Sequence, residues 1–410
     1  MLIVGAGPAG LAAAAALRRL GIGPVLVADR EPEPGGLPRL CEHTGFGLRD
    51  LRRVYSGPGY ARHYVRLAQQ AGATLRPATT ITGWQTPTRL AYTSPAGLGE
   101  IEARAVLLAT GCRERPRAAR LVPGSRPAGV FTTGSLQRFV YEQHLPVGRR
   151  AVIVGAEIVS LSAVMTLQHA RLPIARMVTE LDHHQVYLPY LPMKWLLMDV
   201  LHYVPLMTRA RVSRILGQKR VEAVEVTNVD SGAVETIDCD TVIFTGDWIP
   251  EHELARLGGL AIDPASRGPQ ADNAFRTSAR GVFAAGNLLR GSETADVSAL
   301  EGRRAAAQIA AYLHGGSWPE RRLAVQVESP LEWILPNVIT DPTASLPFGH
   351  FTFRAKAFAS NARVQVRQGE RLLHEQVFGL LRPNVSMALD AGWVSGVDLG
   401  GGPVSASVQA

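Results

Sequence analysis

Cysteine is nearly absent from this chain. Of its 410 residues only Cys41, Cys112 and Cys239 carry a thiol, and no two of them form a CxxC pair. That excludes a CxxC redox disulfide, and an iron–sulfur cluster held in the usual way needs more thiolates than the chain has. So sparse and odd a set points to a reducing compartment, and a cytoplasmic location is expected. Lysine is as scarce, with Lys194, Lys219 and Lys356 the only three. The net charge of +8 therefore rests on arginine. Those arginines are scattered rather than gathered with aromatics into a basic stripe, so nucleic-acid binding is not expected. A basic surface instead favours anionic substrates and cofactors, or a partner with an acidic face. Every apolar run is broken by charge or proline before membrane-spanning length. A glycine turn follows Met1 almost at once, so no signal peptide is expected. No set of residues has metal-ligand spacing, and no metal site is expected.

What the chain does have is a globular composition, 46% hydrophobic and 19% charged, and enough length for two or three domains of roughly 100–200 residues. Apolar strand-like runs alternate with helical patterns as far as about residue 313, the order of βαβ units feeding a parallel sheet. The pattern strand, glycine turn, helix starts twice, at Leu2 and again at Ala151. Two such starts predict two Rossmann-like three-layer α/β domains, one inserted within the other. The expected boundaries are 1–120 and 246–318 for a split first domain, 121–245 for the inserted one, and 319–410 for a small β-rich C-terminal module. Short alternating runs at 351–357, 362–368 and 371–378 support the last of these.

The first turn reads Gly5-Ala6-Gly7-Pro8-Ala9-Gly10. A GxGxxG between strand and helix lets the chain turn tightly, lets a pyrophosphate approach the backbone, and packs helix on strand. The helix start offers its N–H groups to the phosphates. The second strand ends in Asp29, about 20 residues further on, where a carboxylate meets a ribose diol; Arg30 follows it, and Glu31 is a substitute for the acid. These features alone do not separate FAD from NAD.

Three further stretches do, by resemblance. Gly35-Gly36 after the ribose acid, Ala109-Thr110-Gly111 after an apolar run, and Thr277 to Gly286-Asn287 are similar to the FAD motifs of two-dinucleotide-domain flavoproteins, and they stand in the same order. More narrowly, Leu37-Pro38-Arg39, Ser56-Gly57-Pro58-Gly59-Tyr60-Ala61-Arg62, Arg113-Glu114-Arg115-Pro116-Arg117 and Glu293-Thr294-Ala295-Asp296 resemble the FAD subunits of hydrogen cyanide synthase and opine oxidase. These are amine and amino-acid dehydrogenases. The resemblance implies FAD on the first domain, with Gly286 and Asn287 facing the pyrophosphate and ribityl chain. Thr294 and Ala295 would open a helix aimed at the flavin N1/O2 edge, where reduced flavin carries negative charge.

The second turn, Gly155-Ala156-Glu157-Ile158-Val159-Ser160, keeps only its first glycine. Glu157 would bring bulk and negative charge toward a pyrophosphate, so NAD(P) binding is expected to be lost, the alternative being an unusual NAD(P) pose. Electrons would then come from a small organic substrate and leave to a quinone, to oxygen, or to a partner protein such as a second subunit. His43 is a candidate base and Arg39 a clamp for a substrate carboxylate; each has an equal claim as a structural residue. His183, His184, Tyr187 and Tyr190 are read as surface or linker residues rather than a metal pocket.

Overall fold

The computed structural model describes residues 1–186, 191–201 and 203–409. Tyr187 and Tyr190 lie outside the described residues. Two compact units are present. Met1–Arg39, Thr44–Arg113 and Ile249–Ala410 make the first, and Leu40–His43 with Glu114–Trp248 the second.

The first unit is built on a five-stranded sheet in the order Val282–Ala284, Val106–Leu108, Leu2–Val4, Leu26–Ala28, Thr74–Arg76. All its pairings are parallel. The three central strands are apolar on both faces because both faces are covered, as parallel sheets require. Register aligns Val4 with Ala28 and Leu108, and Leu108 with Ala284. The chain therefore leaves three neighbouring strands level with one another, at Gly5, Ala109 and Ala285. That is the carboxyl edge where α/β sheets bind ligands. The helices Pro8–Arg19 and Ala295–Leu313 pack against each other. The buried alanines at 12–15 keep the first of them slim enough for that approach.

The C-terminal part of this unit is a β-sandwich. One sheet orders as Val338–Ile339, Leu323–Val327, Val404–Gln409, Ala359–Gln368, Arg371–Leu381, and the other as Leu331–Leu335, His350–Ala355, Met387–Asp390. The three runs expected from alternation are strands here. Its core is its own, with Phe351, Phe353, Val364, Val366, Leu381 and Val404 fully buried. Two of its side chains, Trp333 and Leu335, belong instead to the core around the parallel sheet.

The second unit repeats the theme. Its parallel sheet orders as Val130–Thr132, Thr241–Phe244, Ala151–Val154, Ile174–Val178, Leu206–Met207, with an antiparallel trio Ala210–Leu216, Ala223–Asn228, Val234–Asp238. The α/β class with two Rossmann-like sheets stands as expected. Among the described residues no helix is long and apolar enough to cross a membrane, and no group of His, Cys, Asp and Glu could hold a metal ion.

Candidate functional site

The turn from Gly5 to Gly10 leaves the central strand of the first unit and enters helix Pro8–Arg19. A Cβ on Gly10 would lie 1.9 Å from the Gly5 carbonyl oxygen, so only glycine lets helix and strand pack here. Gly7 is the N-cap, and no side chain caps the helix. A Cβ built on Gly7 would meet only the Gly36 Cα, at 4.0 Å. Ala9 and Gly10 thus sit in a first turn whose N–H groups have no intrahelical acceptor, while Pro8 gives up an N–H that would have been orphaned anyway. The result is an open anion cradle floored by glycine backbone.

Asp29 faces this turn. Its Oδ2 accepts the Ala6 N–H at 2.5 Å and its Oδ1 accepts the Glu31 N–H at 2.8 Å. The carboxylate therefore fixes the turn against the second strand, and each oxygen keeps a lone pair for a ribose hydroxyl. Glu251 gathers four other expected residues. It meets Arg30 at 3.4 Å and Arg113 at 3.2 Å, its carbonyl accepts the Thr110 hydroxyl at 2.8 Å, and its N–H donates to the Gly111 carbonyl at 2.9 Å. Ala109 backs the turn, its carbonyl lying against Gly5. Nothing in the local sequence singles out Glu251, which follows the whole of the second unit in the chain.

After the strand Val282–Ala284, Gly286 donates its N–H to Glu301 Oε2 at 2.9 Å. Glu301 Oε1 is paired with Arg290 at 2.6 Å, both side chains being buried. Asn287 Oδ1 accepts from the Glu293 N–H and the Ser298 hydroxyl, each at 3.0 Å, and its Nδ2 donates to the Glu293 carbonyl at 3.3 Å. The amide expected to face the ribityl chain is thus chiefly occupied in folding residues 287–293 back onto the helix behind them. That helix, Ala295–Leu313, has Thr294 as N-cap, and no side chain caps it. The Thr294 hydroxyl is buried without a partner. An orphaned hydroxyl beside an uncapped first turn fits a bound group bearing hydrogen-bond acceptors.

The second unit's glycine turn is the opposite case. Glu157 is the N-cap of helix Ile158–His169, and its own carboxylate fills the first turn. Oε2 accepts the N–H groups of Val159 at 2.5 Å and Ser160 at 3.2 Å, and Oε1 accepts the Ser160 hydroxyl at 3.1 Å. Ser160 in turn receives the Glu157 N–H at 3.1 Å and lies 2.8 Å from Thr245 Oγ1, closing a reciprocal capping box. Glu157 is only 4% exposed. Alongside, Arg120 donates to the carbonyls of Thr245 and Gly246 and lies over the Phe244 ring. Where one helix start is open, the other is satisfied by the protein itself.

The family model described as pyridine nucleotide-disulphide oxidoreductase matches residues 1–302. The chain belongs to this family. The FAD cofactor fits the uncapped turns at Gly7 and Thr294. An opine oxidase subunit from Agrobacterium tumefaciens is 28% identical over 73% of this chain and 63% of that protein. The chain thus covers less than two thirds of that relative. The soluble pyridine nucleotide transhydrogenase of Ectopseudomonas mendocina is 24% identical over 78% of this chain and 71% of its own length. In fold, T. acidophilum thioredoxin reductase superposes with a TM-score of 0.61 at 20% identity, covering 77% of this chain and 98% of that one.

For a pyridine nucleotide-disulphide oxidoreductase the thiols bear directly on the chemistry. Cys112 and Cys239 are buried and Cys41 half-buried. Burial pushes the Cys41 thiol up to about 12, Glu114 and Glu42 adding to it against the hydrogen bond to Gln137. Cys239 is likewise pushed up to about 12, by burial and then by Asp240. A thiol so far above neutral pH holds almost no thiolate. Ellman's reagent is therefore expected to titrate no fast-reacting cysteine at neutral pH in the native protein and all three after guanidinium; one rapid native equivalent would refute this.

The two expected catalytic residues are both engaged. Arg39 lies in the first unit, 3.2 Å from Glu33 and 3.7 Å from Glu31. His43 lies in the second, its Nε2 2.9 Å from Ser162 Oγ, which also accepts from Gln137 Nε2 at 2.7 Å. His183 is exposed and His184 half-buried.

Proposed function

We propose that this chain dehydrogenates an amine, amino acid or similar small C–N or C–O substrate and passes the electrons to a quinone, oxygen or a partner protein rather than to nicotinamide. The single observation behind this is the Glu157 carboxylate seated in its own helix start. A pyrophosphate there would have to displace the cap and approach its charge. With that entry closed, an organic substrate is the remaining electron donor. The similarity to an opine oxidase subunit supports the same substrate class and a multi-subunit enzyme. It supports the opine oxidase side of the finer resemblance rather than hydrogen cyanide synthase.

Bound FAD supplies the hydride acceptor at N5. Gly5, Gly7, Ala9 and Gly10 would hold its pyrophosphate, with Gly36 lining the same cradle. Asp29 would hold the ribose, and Gly286, Thr294 and Ala295 the flavin end. His43 is proposed to take the proton released as the substrate is oxidised, and Arg39 to orient a substrate carboxylate, exchanging Glu31 or Glu33 for it. The test is anaerobic bleaching of the yellow protein. Amines or amino acids are expected to bleach it and NADH or NADPH to leave it oxidised. Rapid bleaching by NADPH would replace this reading with an NAD(P)H-dependent flavin reductase. Bleaching by nothing would favour a docking subunit that keeps FAD for stability.

A further inference from the structure

We infer that the C-terminal β-sandwich is part of the flavin site, with Arg354 and Trp333 acting as positioning residues for the loop 286–294. Arg354 stands on strand His350–Ala355 of the sandwich and is 4% exposed. Its guanidinium points away from the sandwich core. Nη2 donates to the Ser292 carbonyl at 2.5 Å and to Glu293 Oε1 at 2.7 Å, and Nε donates to Ser386 Oγ at 3.1 Å. Ser386 also bonds Glu293 Oε1. The main chain of the same Glu293 is held by the Asn287 amide.

A second path closes the ring. The buried Trp333 ring lies under two guanidinium groups, Arg354 at 5.3 Å and Arg290 at 5.8 Å. Arg290 is the partner of Glu301, which accepts the Gly286 N–H. Glu293 and Gly286, at the two ends of the loop, are thus each tied to the sandwich, one through a charge-assisted bond and one through a ring face. Buried ionic groups of this kind are weak stabilisers but fix one geometry, because either charge left alone is costly. The geometry fixed here is that of the segment running from the second FAD motif to the uncapped turn at Thr294. The sandwich therefore acts inward, on the cofactor.

The test uses the full chain with Arg354→Met, Arg354→Lys and Glu293→Gln, and Arg363→Ala as a control at an exposed pair of the sandwich. The readouts are the FAD dissociation constant by recovery of flavin fluorescence, and the flavin midpoint potential against a reference dye. Arg354→Met is expected to weaken FAD binding at least about tenfold, which is ~1.4 kcal/mol, and to shift the potential, with Arg354→Lys intermediate and Arg363→Ala unchanged. Should Arg354→Met not fold, Glu293→Gln, which keeps shape and removes one charge, carries the same expectation. Folded variants with wild-type FAD affinity and potential, and only a lower Tm, would overturn the inference. It rests on the flavin lying at Thr294; a wild-type protein that retains no FAD would refute that placement instead.

Discussion

Gly7→Glu yields a folded protein without colour. The space at Gly7 is open, its backbone is extended with φ −82° and ψ −174°, and the nearest atom to a new Cβ is 4.0 Å away. A side chain is therefore tolerated there by the fold. A glutamate at that N-cap can do what Glu157 does at the second turn, accepting the N–H groups of the first turn and occupying the anion cradle. It would place a negative charge beside the FAD pyrophosphate. Two such charges about 4 Å apart at an effective dielectric near 20 repel by about 4 kcal/mol, roughly a thousandfold in affinity. The expected outcome is loss of the visible flavin absorbance on purification, no reconstitution with added FAD at ordinary concentrations, and wild-type far-ultraviolet circular dichroism. Gly7→Ala, which adds bulk without charge, should lose much less. A yellow Gly7→Glu protein would mean the cofactor does not cross the start of helix Pro8–Arg19.

The reciprocal substitution, Glu157→Gly, is expected to open the second turn to a nicotinamide nucleotide. Removing this carboxylate frees the N–H groups of Val159 and Ser160 and leaves an open helix start like that at Gly7. NADH or NADPH affinity, measured by calorimetry, should rise at least about tenfold over wild type. Replacing the cap by glycine costs only about a few tenths of a kcal/mol, so Tm should fall slightly. Glu157→Gln separates the two contributions. The amide oxygen can still cap the helix, so Tm is retained, while the charge is gone; affinity rising with Gln would assign the block to charge, and rising only with Gly would assign it to occupancy. Unchanged affinity in both variants would remove the main support for an organic electron donor.

The parts of this protein that can be read from sequence are those whose partners are close in the chain. The Gly5–Gly10 turn and Gly35-Gly36 are local backbone requirements, and the strand alternation near 351–378 is a local pattern. Glu157 is legible as an obstacle to phosphate. Its role as a cap is also written locally, since Ser160 stands three residues on and completes the reciprocal box, but the glycine fingerprint draws attention to what is missing rather than to what replaces it. The rest depends on contacts between distant segments. Glu251 joins Arg30 across 221 residues, and Arg354 reaches Glu293 across 61. No periodicity or spacing encodes such pairs. Asn287 is the instructive case: its type suits a ribityl hydroxyl, yet Glu293 and Ser298 take most of its bonding capacity.

The interleaving of the chain has a consequence for biosynthesis. The first parallel sheet takes its opening strand from residues 2–4 but its edge strand from residues 282–284, and the sandwich that braces the loop after it closes only with the strand Val404–Gln409. The second unit draws nearly all its residues from one continuous stretch, 114–248. As the polypeptide emerges from the ribosome, amino end first, the later-numbered unit has all its strands before the earlier one does. The strand that enters the nucleotide turn finds both its neighbours within the first 108 residues, whereas the edge strand and the sandwich that complete its unit come from much later in the chain.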